Sequence, residues 1–167
     1  APQFVSFGTL RLWRTVLEDL MEVEPAVRHE GNYCHALLCR GPSASFLTVT
    51  NLAGRTGTST LHVDEAGGGR DAMTLPVDLR PQESRCLVLN ADIGDRTLRY
   101  ATSELVPVDR PTEFELHGAP GTQGELSFDL PTEVEVDGRV LSTTPTNCGH
   151  VMRYRHGVDP LVARIVG

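Results

Sequence analysis

Short apolar segments follow one another along the chain, and turn-forming residues separate them. Between residues 45 and 106 five such segments occur, at 46–50, 60–63, 73–77, 86–89 and 98–102. The residues between them are mostly Gly, Pro, Asn and Asp, which favour turns. Short strands bounded by turns at this spacing predict an antiparallel β-sandwich or barrel.

Two later segments, 112–116 and 132–136, alternate strictly between polar and apolar residues. In each, two glutamates share one face, which is typical of a half-buried antiparallel strand with one solvated side. The alternative is a carboxylate pair for metal binding or acid–base chemistry. Asp137-Gly138 predicts a tight hairpin turn. Further strands are predicted at 34–40, 125–128, 139–142, 150–156 and 161–166.

One segment near the start has the period of a helix rather than a strand. In residues 9–22 the apolar positions recur at helical spacing, and they are Leu10, Trp13, Leu17, Leu20 and Met21. Pro25 would end this helix, and residues 23–33 read as a polar connector. The predicted fold is therefore all-β, a sandwich or distorted barrel of about ten strands with one N-terminal helix. We divide the chain into residues 1–30, helix and connector, and residues 31–167, the β-sandwich domain.

Composition narrows the classes of partner. The formal net charge of -7 argues against nucleic acid and against an anionic membrane. All basic residues are Arg and they are spread along the chain, so we interpret them as coding bias rather than as an anion site. A run of 18 apolar residues is missing, and so is a visible signal peptide, which slightly favours a cytoplasmic location. Because the chain begins without Met and ends on an apolar residue and glycine, we expect a piece of a longer protein.

Candidate chemical groups are few. We expect Cys34, Cys39, Cys86 and Cys148 to be reduced and mostly buried thiols, because they form no zinc-type spacing. We predict no catalytic residue, no metal site and no cofactor. The weak candidates for ligand binding are aromatic residues that could form a sugar platform, although core packing is the preferred interpretation; they are Trp13, Tyr33, Tyr100 and Tyr154.

Several segments together resemble the β-rich region that follows the catalytic barrel in family 35 glycoside hydrolases, which are β-galactosidases. The most specific are residues 98–105 (LRYATSEL) and residues 114–121 (FELHGAPG) with Gly-Glu at 124–125. The segment 45–51, an aliphatic strand ending in Asn, is similar to a hairpin of the family. Residues 10–20 resemble the last helix of the barrel, and the resemblance covers about residues 10–130.

The resemblance implies a parent enzyme that removes terminal β-galactosyl residues with retention, using two carboxylic acids about 5 Å apart. In the family both acids are glutamates of the barrel, which this chain does not contain, so no catalytic residue carries over. The implied function is a non-catalytic structural domain whose partner is the catalytic barrel of the same protein, with residues 1–30 including the barrel's end. The alternatives are a free-standing carbohydrate-binding module and a protein-interaction sandwich without a sugar role.

The helix allows a further expectation. If residues 9–22 were selected to pack between a barrel and the sandwich, part of the apolar stripe would stay exposed in this chain by itself. We then expect the chain to associate through this helix, because exposed apolar patches promote association.

Overall fold

The structure is a computed structural model that describes residues 21–22, 27–64 and 73–166. These residues form sixteen strands, numbered β1 to β16 in chain order, arranged in three antiparallel sheets. The prediction of an all-β fold is confirmed. Within the described ranges the sheets are layered and do not close into a barrel.

The largest sheet has eight strands in the spatial order β1 (Met21–Glu22), β3 (Cys34–Arg40), β4 (Ser45–Asn51), β7 (Ser84–Ile93), β8 (Arg96–Ala101), β11 (Gln123–Phe128), β15 (Gly149–Arg155) and β14 (Thr144–Thr146). The second sheet has the order β13 (Arg139–Ser142), β12 (Glu133–Val136), β16 (Leu161–Ile165), β10 (Glu113–His117) and β9 (Glu104–Pro107). The third consists of β2 (Val27–Gly31), β5 (Gly57–Val63) and β6 (Met73–Leu79).

The eight-stranded sheet is the middle layer, because it contributes side chains to two separate cores. Phe46 belongs to the core shared with the five-stranded sheet. Its neighbour Leu47 belongs to the core shared with the three-stranded sheet. Strands buried on both faces read as continuous apolar runs rather than alternating ones. This explains why residues 86–89 are all apolar and all buried.

The regular alternation of side chains between the two cores is interrupted in strand β7 at Asn90, because the residues on either side of it lie in different cores. Leu89 packs in the core next to the three-stranded sheet, whereas Ala91 packs in the other core. Asn90, between them, has a φ of 49°, in the left-handed region that Asn tolerates better than most residues. The partner strand β8 follows the same change, since Tyr100 pairs with Leu89 and Leu98 pairs with Ala91.

The Asp-Gly turn and the alternating strands are as predicted. Asp137 and Gly138 have φ values of 47° and 79°, the pair of positive angles that a type I′ hairpin turn requires. The apolar residues of the two alternating segments are buried, and the glutamates are more accessible; the buried ones are Phe114, Leu116, Val134 and Val136. On the accessible side Arg164 donates to Glu135 over 2.8 Å.

The predicted end of the N-terminal helix is wrong. Met21–Glu22 is strand β1, which pairs with residues 39–40 at the edge of the middle sheet. The hydrogen bonds that this edge offers outweigh the helical spacing, as tertiary context commonly does. Residues 9–20, and with them Trp13 and the expected association through the helix, lie outside the described residues.

The predicted polar connector is also partly wrong, because residues 27–31 form β2 and pair with β5 along their whole length. Strands β9 and β14 were likewise not predicted. The division of the chain at residue 30 stays a prediction.

Candidate functional site

A cleft of ≈ 520 Å³ lies where three loops meet. Its walls come from residues 80–85 at the β6–β7 turn, residues 117–120 at the end of β10 and beyond it, and residues 158–160 before β16. The start of β9 adds Glu104. The volume falls within the range of ligand-binding pockets, so this cleft is the candidate site.

Asn51, the last residue of β4, holds the β6–β7 turn in place. Its side chain is fully buried and donates to the carbonyl oxygens of Leu79 (3.1 Å) and Arg80 (3.0 Å). Its backbone N–H donates to the carbonyl of Glu83 (2.9 Å), and its carbonyl accepts from the N–H of Gln82 (3.0 Å). The turn on one side of the cleft is therefore fastened to the middle sheet by four hydrogen bonds.

The turn itself carries an unusual residue. Glu83 donates its N–H to the Arg80 carbonyl (3.1 Å), and Pro81 occupies the position that Pro favours in turns. Gln82 follows with a φ of 58°. A turn with a positive φ at this position is of type II, and it normally has Gly or Asn there. Gln82 thus adopts a strained backbone conformation while its side chain lies exposed beside the cleft.

A buried ion pair forms the floor. Arg85 is 1% exposed and Glu83 is 8% exposed, and the Arg85 Nη2 donates to Glu83 Oε1 over 2.6 Å. Arg85 Nη1 also donates to the Thr102 carbonyl (2.9 Å), and Glu83 Oε2 accepts from the Arg80 N–H (2.7 Å). Burying two charges is costly unless such hydrogen bonds compensate. The floor is therefore pre-organised and nearly neutral.

The remaining ionisable residues of the cleft are Arg80, Glu104, His117 and Asp159. Glu104 is buried, and its Oε1 accepts a hydrogen bond from the N–H of Cys86 (2.8 Å). Asp159 is exposed, and the His117 Nε2 lies 2.9 Å from Glu115 Oε2. Apart from His117, the lining has three carboxylates and two guanidiniums, those of Glu83, Glu104 and Asp159 and of Arg80 and Arg85. Such a lining does not favour an anionic ligand.

Behind the cleft lies a small buried network centred on Ser103. Its hydroxyl lies 2.5 Å from the Tyr154 hydroxyl and 2.9 Å from His156 Nε2. The two rings meet edge to face, with centroids 5.4 Å apart. Burial lowers the pKa of His156 to about 4, and the positive charge of Arg85 and the nearby His117 add to this effect. His156 is therefore neutral near pH 7.

The Ser103–His156 contact has the composition of a nucleophile and its base. However, Ser103 is 0% exposed and His156 is 4% exposed. Gly118 covers the imidazole so closely that a Cβ at this position would collide with its ring. No substrate carbonyl can reach the hydroxyl in this arrangement. The contact between Ser103 and His156 therefore stabilises the interior of the fold.

A second buried network involves Tyr100 and Glu125. The Tyr100 hydroxyl donates to Glu125 Oε2 (3.0 Å), and Arg153 Nε donates to Glu125 Oε1 (2.6 Å). The Glu125 N–H donates to Thr102 Oγ1 (2.8 Å). Burial raises the pKa of Tyr100, and the carboxylate of Glu125 raises it further. This hydroxyl stays protonated and acts as a structural donor.

The aromatic residues proposed as a sugar platform are not brought together. Tyr100 is 2% exposed and Tyr154 is 9% exposed, so both rings pack in the cores. Tyr33 is exposed and stacks edge to face on His29 at 5.7 Å, and it is not part of the cleft lining. Trp13 lies outside the described residues.

The four cysteines are free, as expected for reduced thiols. Cys34 and Cys86 are buried, whereas Cys39 and Cys148 are half-buried. Burial raises the pKa of Cys86 to about 12, with the charge of Glu104 adding to the effect. A thiol with so high a pKa is a poor nucleophile at neutral pH.

The described residues contain neither a metal-binding cluster nor a membrane-spanning helix. In residues 27–64 and 73–166, His, Cys, Asp and Glu do not gather in groups of three or more that could hold a metal ion. Over the same part of the chain, a helix long and apolar enough to span a membrane is not found.

Sequence reasoning missed Asn51, Gln82 and Arg85. A signal existed for Arg85, because a charged residue next to the apolar run 86–89 must be paired when that run is buried. The Arg80-Pro81 sequence indicated a turn, but the positive φ of Gln82 has no sequence signal.

No protein-family model matches this sequence, and no curated protein matches it either.

Proposed function

We propose that this chain is a non-catalytic structural domain of a larger glycoside hydrolase, one that resembles the family 35 β-galactosidases. Its partner is then the catalytic barrel of the same protein. The support comes from where the resembling segments lie. Residues 98–105, 114–121 and 124–126 fall on β8 to β11 and the turns between them, which are neighbours in space.

The observation that carries the proposal is that the polar residues of these segments form hydrogen bonds with other residues inside the fold. Thr102 donates its N–H to the Glu125 carbonyl (3.0 Å), and Glu125 returns its N–H to Thr102 Oγ1 (2.8 Å). Ser103 joins Tyr154 and His156 as described above. The segments that most resemble the enzyme family thus bind one another inside the fold, which is the behaviour of a scaffold.

The accessible chemistry agrees with a scaffold. A retaining glycosidase needs two carboxyl groups about 5 Å apart that both face the substrate, one with a raised pKa. The cleft carboxylates Glu83 and Glu104 are instead buried and accept internal hydrogen bonds from Arg85 and from the N–H of Cys86. These carboxylates therefore stabilise the loops and strands around the cleft and do not act on a bound sugar.

The reading frame upstream of Ala1 gives the decisive test. We expect it to encode a catalytic barrel of about 300 residues. The longer protein should hydrolyse nitrophenyl β-galactoside, and it should lose stability when residues 27–166 are removed. A start codon directly before Ala1 contradicts the proposal and favours the carbohydrate-binding module or the interaction sandwich.

The isolated chain should hydrolyse nitrophenyl β-galactoside no faster than buffer. Turnover that is abolished by Glu113→Gln or Glu133→Gln would overturn this expectation, because those glutamates lie on the accessible face of the five-stranded sheet. The matched control is Glu30→Gln on the three-stranded sheet.

A further inference from the structure

We propose that the cleft between residues 80–85, 117–120 and 158–160 binds a neutral polyhydroxylated ring, such as one unit of a saccharide, and that Gln82 is its principal contact. This inference rests on the cleft itself. It holds whether or not the domain belongs to a β-galactosidase.

The first support is electrostatic. The lining carries one more carboxylate than guanidinium, and the charge of Arg85 is already balanced by Glu83 at 2.6 Å. An anionic ligand would meet repulsion there. A divalent cation would need several convergent oxygen ligands, and the described residues contain no such group. A neutral polar ligand remains.

The second support is the backbone of Gln82. Gly would occupy this turn position without strain, whereas a residue with a Cβ is strained at a φ of 58°. The turn is nevertheless held rigidly by Asn51 and presents the glutamine side chain at the cleft. Observed strain at a cleft residue points to a function for its side chain. A primary amide offers a donor and an acceptor side by side, which matches two adjacent hydroxyls of a ring.

The third support is the mixture of surfaces around Gln82. Each of the three loops contributes an apolar residue to the cleft, and Val158 is 88% exposed. These apolar residues are Pro81, Ala119, Pro120, Val158 and Pro160. His117 and Arg80 add planar polar groups. A sugar ring needs both kinds of surface, because its C–H faces pack on apolar groups while its hydroxyls form hydrogen bonds.

Nuclear magnetic resonance titration tests the proposal on the isotope-labelled chain. The probes are methyl β-galactoside, methyl β-glucoside, lactose and cellobiose, with inorganic phosphate as the anionic comparison. We expect at least one saccharide to shift the amide signals of Gln82, Gly118 and Asp159 in a saturable way. Phosphate should leave these signals unchanged.

Variants of Gln82 separate ligand binding from turn stability. Gln82→Ala and Gln82→Gly should each weaken saccharide binding at least tenfold. The melting temperature of Gln82→Gly should equal or exceed that of the wild type, because Gly relieves the strain. A residue kept only for structure would not show this combination. The matched control Gln123→Ala removes another exposed glutamine, whose backbone N–H bonds Asp78, and should bind saccharide normally.

Three results would overturn the proposal. The first is an absence of saccharide-induced shifts up to about 10 mM, well beyond a typical weak affinity. The second is a shift produced by phosphate but by none of the saccharides. The third is wild-type binding by Gln82→Ala. None of these results bears on whether the longer protein hydrolyses β-galactosides, so the two proposals can fail separately.

Discussion

Single polar residues in the interior decide the local shape of this protein. Asn51 is the clearest case, since one buried amide serves the carbonyls of two loops and accepts from the N–H of Ala53 at 2.9 Å. Arg85 and His156 are similar, because each is buried and engages residues far away in the sequence. Buried polar groups of this kind are costly to leave unpaired, so their substitution should have large effects.

Replacing Asn51 by Ala should lower the free energy of unfolding by roughly 2–4 kcal/mol, because buried carbonyls lose their donor. Urea-induced unfolding monitored by circular dichroism measures this change. Asn147→Ala, at an exposed loop position, should change stability by less than about 0.5 kcal/mol. A loss below about 1 kcal/mol for Asn51→Ala would show that the hydrogen bonds of the Asn51 side chain contribute little to the stability of the fold.

His156 should make stability depend on pH. Its pKa is about 4 in the folded protein and 6.5 in the unfolded chain, so the unfolded chain binds more protons between these values. The contribution of neutral His156 to stability is therefore complete above pH 6.5 and is lost as the pH falls towards 4. In His156→Gln, which can still bond Ser103, the urea midpoint should fall less over this interval.

The matched control for this measurement is His29→Gln, at an exposed position. It should reproduce the wild-type pH dependence. If the urea midpoints of the wild type and of His156→Gln fell equally with pH, His156 would not be the residue that makes stability depend on pH.

At the scale of the strands, close packing explains where glycine is required. Gly124 on β11 is buried against the ring of Tyr154, and a Cβ at this position would collide with that ring. Gly118 meets His156 in the same way. Gly118 lies within the turn that forms one wall of the cleft, and Gly124 lies on the strand that follows it. The aromatic residues behind the wall therefore determine how closely its backbone approaches them.

Gly124→Ala should destabilise the protein by about 1–3 kcal/mol, because the Tyr154 ring sits in a packed core and cannot move away freely. Thermal melting followed by circular dichroism would show it as a lower melting temperature. Gly54→Ala is the matched control, since a Cβ there meets nothing within 4 Å and the φ is not positive. Equal melting temperatures for the two variants would refute the packing argument.

At the scale of the whole molecule, one sheet joins two cores. Every apolar residue of the run 86–89 is buried, with alternate side chains in opposite cores. Loss of packing in either core must therefore disturb the same strands. This arrangement predicts that the three sheets unfold together rather than as separate units.

Phe46→Ala and Leu47→Ala test this prediction, because the two residues are adjacent but lie in different cores. Each should lower stability by about 2–5 kcal/mol. Each variant should still show one calorimetric transition, with the measured enthalpy equal to the van't Hoff enthalpy. Two resolved transitions in either variant would mean that the cores are independent.

The local pattern of the sequence was sufficient for the all-β fold and for most of its strands. The alternation in residues 132–136 and the Asp-Gly pair after it act within one hairpin, so neighbouring residues contain the information. The same holds for residues 34–40 and 45–51, which pair directly across a short turn. The pattern of apolar positions is enough wherever a strand buries one face against its sequence neighbours.

Other features depended on contacts between distant segments. Residues 27–31 carry almost no apolar pattern and are mostly exposed, yet they form β2 because the edge of β5 supplies hydrogen bonds. Met21–Glu22 similarly joins β3 in spite of a helical spacing. The cleft combines three loops that are separated by more than thirty residues along the chain. Which loops meet is determined by strand order and sheet packing, and these follow from the summed burial of both cores rather than from any local pattern.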